Sequence, residues 1–592
     1  MGGLEDQSIE VFRKFDRSGG GLIKQTHLAT VIEHIVPGCD PNEVIACFRA
    51  DAAMDKQSTG DSSSISYTDF ITWLFKDDAS QRKKCRGDGS PVQTRAVTSE
   101  QDGGVTSLEG VTVEYLTDVE GNWEYFLRYV ALSTILYWDE CSQHERPSSS
   151  APVLGRLSLR TGGILVFGGD ATDKGPGDIR FVRCLVSLKL RFPHQVYIIL
   201  GNRDIQPLRY YAELTAAGLE QPFVPYWLTG DKLKTFDEYR HEQNLPPTAL
   251  SMLKWMHLWN MGCPTTLETR KKEVELLRNA AANDMDVLES FRNSVDPHGE
   301  DPWMLQLVKL GQLGLVLGDA LFVHAGLHDK SIGYVPGEHD RRTNCVREWV
   351  QKLNAWKDDQ VREYESNAAW YRAEDGCRHR GGERLLDYGV PNGAEESSVA
   401  YFNPFQDGNP QQFSEYVQGV LKNSGIRRVF SGHQPHGESP VVIRHPATGV
   451  VALLCDTSYS DQKAPKESNI ADNRGKAVSV VSIKAGVVHI HGVLADETKH
   501  ECKVWTETKD DKVPDCLVGR QLSNGAWIKT VLPGSASAPE LFQAVAAKGR
   551  DLDVSTLSMK DALPMLLSEH HRAIQHCLEP SGTGGAMSHL GS

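Results

Sequence analysis

GGDATDKG, Gly168 to Gly175, follows directly on the apolar run GILVF, Gly163 to Phe167. A short unbroken apolar run bounded by turn residues reads as a buried strand, and the Gly/Asp turn after it as the loop leaving that strand's carboxyl end. Open α/β sheets bind their ligands at this edge. Asp170 and Asp173 therefore stand where a short loop can hold carboxylates against a cation. The pattern recurs outward in both directions. VTVEYLTDVEGN brings Asp118 and Glu120 after a strand, QVYIILGNRD brings Asn202, Arg203 and Asp204, LGLVLGDALFVHAG brings His324, and RRVFSGHQPHG brings His433 and His436. One such stretch alone is a turn. Strand ends that deliver candidate ligands from distant parts of the chain are what a composite metal site requires.

In that order TDVEGN (Thr117 to Asn122), GGDATDKG, LGNRD, LFVHAGL and FSGHQPHG resemble the blocks of the calcineurin-like metallophosphoesterase superfamily, which includes the phosphoprotein phosphatases; the resemblance spans residues 115–500. The family pattern reads D-x-H-G-N, G-D-x-x-D-R-G, G-N-H-D/E, a histidine after a strand, then G-H-x-H. The resemblance implies an α/β fold built as a two-sheet sandwich flanked by helices. It also implies a phosphatase that hydrolyses a phosphomonoester, of a phosphoprotein or a small molecule, with water activated by two divalent ions. Asp118 would bind the first ion, Asp170 would bridge both, and Asn202, His324 and His433 would hold the second. A carboxylate between two cations offsets their repulsion, while imidazole and amide oxygen complete the shell without further negative charge.

Three positions depart from the pattern. Glu120 stands where the family has a metal-binding histidine; as a harder, charged donor it favours Mn or Mg at the first position over Fe or Zn, with Mn preferred. Arg203 replaces the histidine that protonates the leaving group in similar enzymes, with Asp204 as its usual partner. Arginine cannot donate a proton near neutral pH, and acid assistance is worth about two to four decades of rate. Poor alkyl leaving groups suffer most from its loss, aryl phosphates and anhydrides least. Arg203 can instead form a fork on phosphate oxygens, and Lys174, where the family has arginine, offers phosphate a point charge. In GHQPHG two residues separate His433 from His436, which leaves His436 open as a ligand of the first metal, a replacement proton donor or a loop histidine. Asp173 is read as fixing the loop behind the ligands, and Asp456 as supporting the site from further back.

The same substitutions motivate an alternative from another class: a pseudophosphatase or binding scaffold positioned by an N-terminal docking or calcium-responsive module. That module, residues 1–80, resembles a paired EF-hand, with helical periodicity in IEVFRKF, HLATVIEHI, NEVIACFRA and TDFITWLF bracketing two loops. In the first loop Asp16, Ser18, Gly21 and Ile23 match positions one, three, six and eight, but Gly20 lacks a side-chain oxygen and His27 replaces the bidentate glutamate. The second loop keeps Ile65 and Asp69 but is too long. It either binds calcium through Asp55, Asp61 and Asp69 or belongs to a helical partner-docking module that has lost the ion.

Residues 86–104 read as a polar linker. Between residues 205 and 312 lies a mostly helical insertion, a cap beside the metal edge or a packed elaboration. A second insertion carries Trp370, Arg372, Arg378, Arg380 and Arg384, which would recognise phosphate or form a solvated charged surface. WEYFLRYVALSTILYW, residues 123–138, reads as one amphipathic helix. From 501 to 580 a small α+β extension contains an Asn524-Gly525 turn signal and SMKDALPMLLSEHHRAIQHCL, read as helix despite Pro564; residues 581–592 read as a disordered tail.

Composition narrows the partners. Of 592 residues, 63 are basic and 78 acidic, a formal charge of −15 that argues against general affinity for nucleic acid or anionic membrane. The 12 cysteines include no C-x-x-C pair, so neither a zinc ribbon nor a disulfide framework is expected. MGGLEDQSIEVF lacks an apolar signal core, Asp6 stands where a myristoylation motif wants Ser or Thr, and no run long enough to span a bilayer occurs. These features lead to the expectation of a soluble cytoplasmic protein acting on a phosphorylated substrate.

Overall fold

The computed structural model describes residues 22–24, 28, 45, 64–66, 70, 110–139, 155–228, 230, 233–338, 341–373, 376–457, 476–505, 515–535, 538–548 and 551–574. The chain divides into two units, residues 1–98 and 99–592. In the first, strands Leu22–Lys24 and Ser64–Ser66 pair antiparallel with Ile23 opposite Ile65, and Leu28, Ile45, Ile65 and Phe70 are buried. The candidate calcium residues Asp16, Ser18, Asp55, Asp61 and Asp69 lie outside the described residues, as do the linker 86–104 and the tail 581–592.

The second unit is mixed α/β. The strands of its three larger sheets, numbered along the chain, are β1 Thr112–Leu116, β2 Gly163–Phe167, β3 Val196–Ile198, β4 Gly314–Leu317, β5 Ala320–Val323, β6 Arg428–Ser431, β7 Val441–Arg444, β8 Val451–Leu454, β9 Val478–Lys484, β10 Val487–Val493, β11 Lys499–Val504, β12 Trp527–Ser535, β13 Ala538–Lys548 and β14 Asp551–Ser558. A six-stranded sheet has the order β11-β10-β9-β1-β2-β3 and a five-stranded sheet β7-β8-β6-β5-β4. In the first sheet β1, β2 and β3 run parallel; in the second β5, β6 and β8 do. Continuous apolar strands such as GILVF are buried on both faces, as parallel strands covered on each side must be.

The sheets meet through one apolar layer. Val113, Tyr115, Ile164 and Val166 from one side pack against Leu315, Phe322, Phe430 and Leu453 from the other, and Tyr115 lies 5.7 Å from Phe322 and 5.8 Å from Phe430, centroid to centroid. β11 continues the six-stranded sheet past residue 500 because Cys502 and Val504 alternate inward. β12, β13 and β14 form a separate three-stranded sheet, whose Trp527 packs on Val441, Ile443, Ala452 and Leu454.

Two segments differ from expectation. The helix beginning at Trp123 ends at Leu132, and Leu136–Asp139 is a strand paired with Arg156–Leu159. The break falls where Glu114 accepts hydrogen bonds from the Ser133 hydroxyl at 2.5 Å and the Thr134 amide at 2.7 Å, drawing the chain out of the helical path. The C-terminal helix is interrupted at Pro564: Met559–Ala562 gives way to a 3₁₀ turn, and helix resumes at Ser568. Proline has no amide to donate and its ring obstructs the preceding turn.

Candidate metal centre

Five of the expected ligands lie just beyond the carboxyl ends of parallel strands, Asp118 after β1, Asp170 after β2, Asn202 after β3, His324 after β5 and His433 after β6, and the supporting residue Asp456 follows β8. The loops are joined by their backbones. The amides of Asp118 and Glu120 donate to the carbonyls of Gly169 and Asp170, each at 2.9 Å, and Lys174 N donates to Glu120 O at 2.9 Å. Across the sheets, His433 N donates to the Asp118 carboxylate at 3.0 Å. This docking forces unusual backbone. Asp118, Glu120, Asp170, Asp173 and His433 have φ of 51°, 47°, 57°, 101° and 75°, a region L-residues avoid and which clusters at functional sites. Glycine is required where the loops come closest: a Cβ on Gly201 would collide with the Asp170 carboxylate, and one on Gly432 with that of Asp118.

Ligand atoms of Asp170, His324 and His433 all lie within 4.8 Å of one another. His324 Nδ1 faces the Gly168 carbonyl at 2.8 Å, which fixes the tautomer and turns Nε2 to Asp170 Oδ1 at 3.2 Å. A backbone acceptor behind a ring nitrogen is the usual support of a ligating histidine. Both ring nitrogens of His433 and the buried Asn202 Oδ1 have no hydrogen-bond partner among the described residues. Such orphaned donors around a carboxylate fit a divalent cation. The electrostatics agree. Burial disfavours charge on His324, yet the facing Asp170 and nearby Asp118 outweigh it and push the imidazole up to about 10. Burial opposes ionisation of Asp170 too, but His324 and Arg203 hold its carboxyl well below the usual range. His433, buried beside a cationic His324, is pushed down to about 3.

The other expected ligand set is differently engaged. Thr117 Oγ1 donates to Asp118 Oδ2 at 2.5 Å, and burial, reinforced by Asp170, pushes Asp118 up to about 7 although His324 opposes it. Glu120 Oε1 meets two cations, Lys174 Nζ at 2.7 Å and Arg203 Nε at 3.2 Å. Arg203 Nε also lies 3.6 Å from Asp170 Oδ2, and its Nη1 lies 3.8 Å from Asp173 Oδ2. Asp173 is buried and thereby pushed up to about 7 despite Arg203. His436 is buried against Phe405, ring centroids 5.5 Å apart, and its carbonyl accepts from Lys529 Nζ. It is not brought among the residues lining the cleft. Asp204 is also withdrawn: its carboxylate accepts the amides of Gly201, Asp170 and Ala171 at 2.8, 2.9 and 2.9 Å. Its observed contacts brace the loops that carry Asp170 and Asn202.

The cleft above these groups encloses about 480 Å³ and is lined by Glu120, Asp170, Asp173, Lys174, Asn202, Arg203, His433 and Asp456 together with residues of the insertion. The insertion is tied to the loop after β2 by buried charge. Arg270 Nη2 donates to Asp178 Oδ2 at 2.7 Å, and Asp178 Oδ1 accepts Asp173 N at 3.0 Å. Glu273 accepts the amides of Ile179 and Arg180 at 2.9 and 3.0 Å. Sequence reasoning missed Arg270 and Glu273, but a signal was present: with Thr266 and Val274 they recur at helical spacing on the inward face of Thr266–Arg278, where apolar residues would be expected. The arginines of the second insertion are partly structural. Arg378 and Arg380 lie 3.9 and 4.4 Å from the Trp370 ring, and buried Arg380 pairs with Glu213 at 2.9 Å.

No protein-family model matches the chain, and no curated protein sequence matches it. Among solved structures, neighbours are protein phosphatases. A cold-active protein-tyrosine phosphatase of a psychrophile Shewanella sp. is 14% identical, with a TM-score of 0.33 over 70% of this chain and 87% of that one. A protein serine/threonine phosphatase from Saccharomyces cerevisiae, described as similar to human phosphatase PP5, is 10% identical, with a TM-score of 0.27 over 64% and 74%. Superpositions this partial do not bear on the chemistry, which rests on the side chains of this chain. Among the described residues no helix is long and apolar enough to cross a membrane.

Proposed function

We propose that the chain is a metal-dependent phosphomonoesterase. The observation that carries the proposal is the convergence of Asp170, His324 and His433 within 4.8 Å on a cleft that Lys174 and Arg203 also line. A divalent ion held by Asp170, Asn202, His324 and His433 would act as a Lewis acid on a phosphoryl oxygen and ease deprotonation of the attacking water. Lys174 and Arg203 would offset the charge of the remaining phosphoryl oxygens. Asp204 holds the Asp170 loop in register. The residues fit one ion at this position. Asp118, Glu120 and Asp170 would hold a second ion in a two-metal form, with Glu120 shared between it and two organic cations; their oxygen-rich set would favour Mn.

The test is hydrolysis of p-nitrophenyl phosphate with added Mn²⁺, with Asp170→Asn as control. Activity lost in the variant supports the proposal. Metal bound without activity in the wild type supports the alternative, a pseudophosphatase, which the Arg203–Glu120 ion pair favours. For residues 1–80 we propose an EF-hand-like pair serving partner docking; the antiparallel pairing of Ile23 with Ile65, the two isoleucines that the sequence aligns between the loops, supports it.

A further inference from the structure

The insertion reaches the cleft through a distorted turn. The helix Ala249–Trp255 widens into a π-helical turn, Met256–Asn260, in which Met261 N donates to Met256 O at 3.0 Å. Such turns cost helix geometry and concentrate at functional sites. This one brings Leu258, Trp259, Asn260 and Met261 to the cleft, where Trp227 and Tyr401 also line the wall. Leu258 is 42% exposed. The indole Nε1 of Trp259 and both amide atoms of Asn260 are buried without a hydrogen-bond partner among the described residues. Orphaned polar atoms beside an open apolar wall call for a ligand that offers both a ring and hydrogen-bonding groups. The wall is fixed to the phosphate end of the cleft: Arg203 Nη1 donates to the Met261 carbonyl at 3.2 Å.

We infer that the cleft takes phosphate monoesters of phenols, with the phosphoryl group on Lys174 and Arg203 and the ring against Leu258, Trp259 and Met261. The inference rests on the phosphatase reading above. In the step, a water oxygen bonds to phosphorus while the bond from phosphorus to the phenolic oxygen breaks. The phenolate leaves with the bonding pair, and the water gives up its proton to solvent. A phenol of pKa about 10 departs as its anion without a donated proton. A serine alkoxide is far more basic and needs the donor that Arg203 cannot be.

The experiment compares kcat/KM of the full chain with Mn²⁺ on a phosphotyrosine peptide, the same peptide with phosphoserine, and phenyl phosphate. The expected result is an aryl-over-alkyl preference of about a hundredfold or more, the loss set by a missing acid. Trp259→Ala should lower aryl turnover about tenfold and spare phosphoserine, with partial rescue in Trp259→Phe. Phenyl phosphate matching the peptide makes the ring alone the recognised group, and a peptide advantage adds the Asn260 contacts; either agrees with the inference. Equal kcat/KM on the two peptides overturns it while leaving the phosphatase intact, and points to a proton donor in the cleft, Asp173 foremost. If nothing is hydrolysed, the phosphatase reading fails, and binding decides the rest: phenylphosphonate binding tighter than methylphosphonate, with the difference lost in Trp259→Ala, upholds the wall, and equal binding overturns it.

Discussion

Arg203 Nε lies 3.2 Å from Glu120 Oε1: two of the residues at which the sequence departs from the pattern it resembles are partners of each other. Neither substitution is then independent. A carboxylate introduced beside Asp118 and Asp170 would raise their mutual repulsion, and the guanidinium opposes that charge from within the protein.

An ion on Asp118, Glu120 and Asp170 therefore competes with a built-in cation. Wild type is expected to bind one Mn²⁺ tightly and a second weakly. Arg203→Ala should tighten the second by about tenfold, the equivalent of about 1.4 kcal/mol. Calorimetric titration of both proteins measures this, and two equally tight sites in the wild type would refute it.

Ion binding at Asp170, His324 and His433 should release a proton. His324, raised to about 10 by Asp170 despite burial, carries a proton at neutral pH that a ligating Nε2 must lose. Affinity should then rise about tenfold per pH unit between about pH 7 and 9. Titrations in buffers of different ionisation enthalpy count the proton, and a flat affinity across that range would exclude the assignment.

Arg270 is buried between aromatic rings, 4.1 Å from Phe291 and 5.0 Å from Trp303, and pairs with buried Asp178. Arg270→Met leaves Asp178 uncompensated and should cost about 3–5 kcal/mol in urea unfolding. Adding Asp178→Asn should recover part of that loss. A destabilisation below about 1 kcal/mol would show that the insertion is held by other means.

Lys529 is buried, and burial pushes its pKa down to about 7 even with Glu438 nearby. Between about pH 7 and the unfolded-state value of about 10.4, the unfolded chain binds a proton that the folded chain lacks. Stability should therefore rise with pH across that window, by on the order of 4–5 kcal/mol. Lys529→Met should lose this slope in melting curves taken from about pH 6 to 10. An unchanged slope would mean that Lys529 stays charged in the fold.

Most of the strands and the loops that end them were legible because runs such as GILVF and ALFV are apolar and are followed by glycine-containing turns, a purely local signal. The segment after Leu132 was not, since LSTILYW satisfies helix and strand equally and Glu114 decides between them from another strand. His436 illustrates a second limit: spacing cannot say which way a ring turns, and this one packs beside Phe405 and is not among the residues lining the cleft. The contribution of Trp259 and Met261 was invisible because a π-helical turn leaves no sequence periodicity of its own. Arg270 and Glu273 could have been found as charges on an inward helix face.

The positive φ at Asp118, Glu120, Asp170, Asp173 and His433 sets this chain against any selection for robustness alone. A side chain held there costs on the order of 1 kcal/mol relative to glycine, and four of the five are also buried carboxylates. Directed evolution toward a higher melting temperature would be rewarded for erasing these positions one after another. The most thermostable descendants of this protein should be the ones that have lost the loop geometry which brings Asp170, His324 and His433 together.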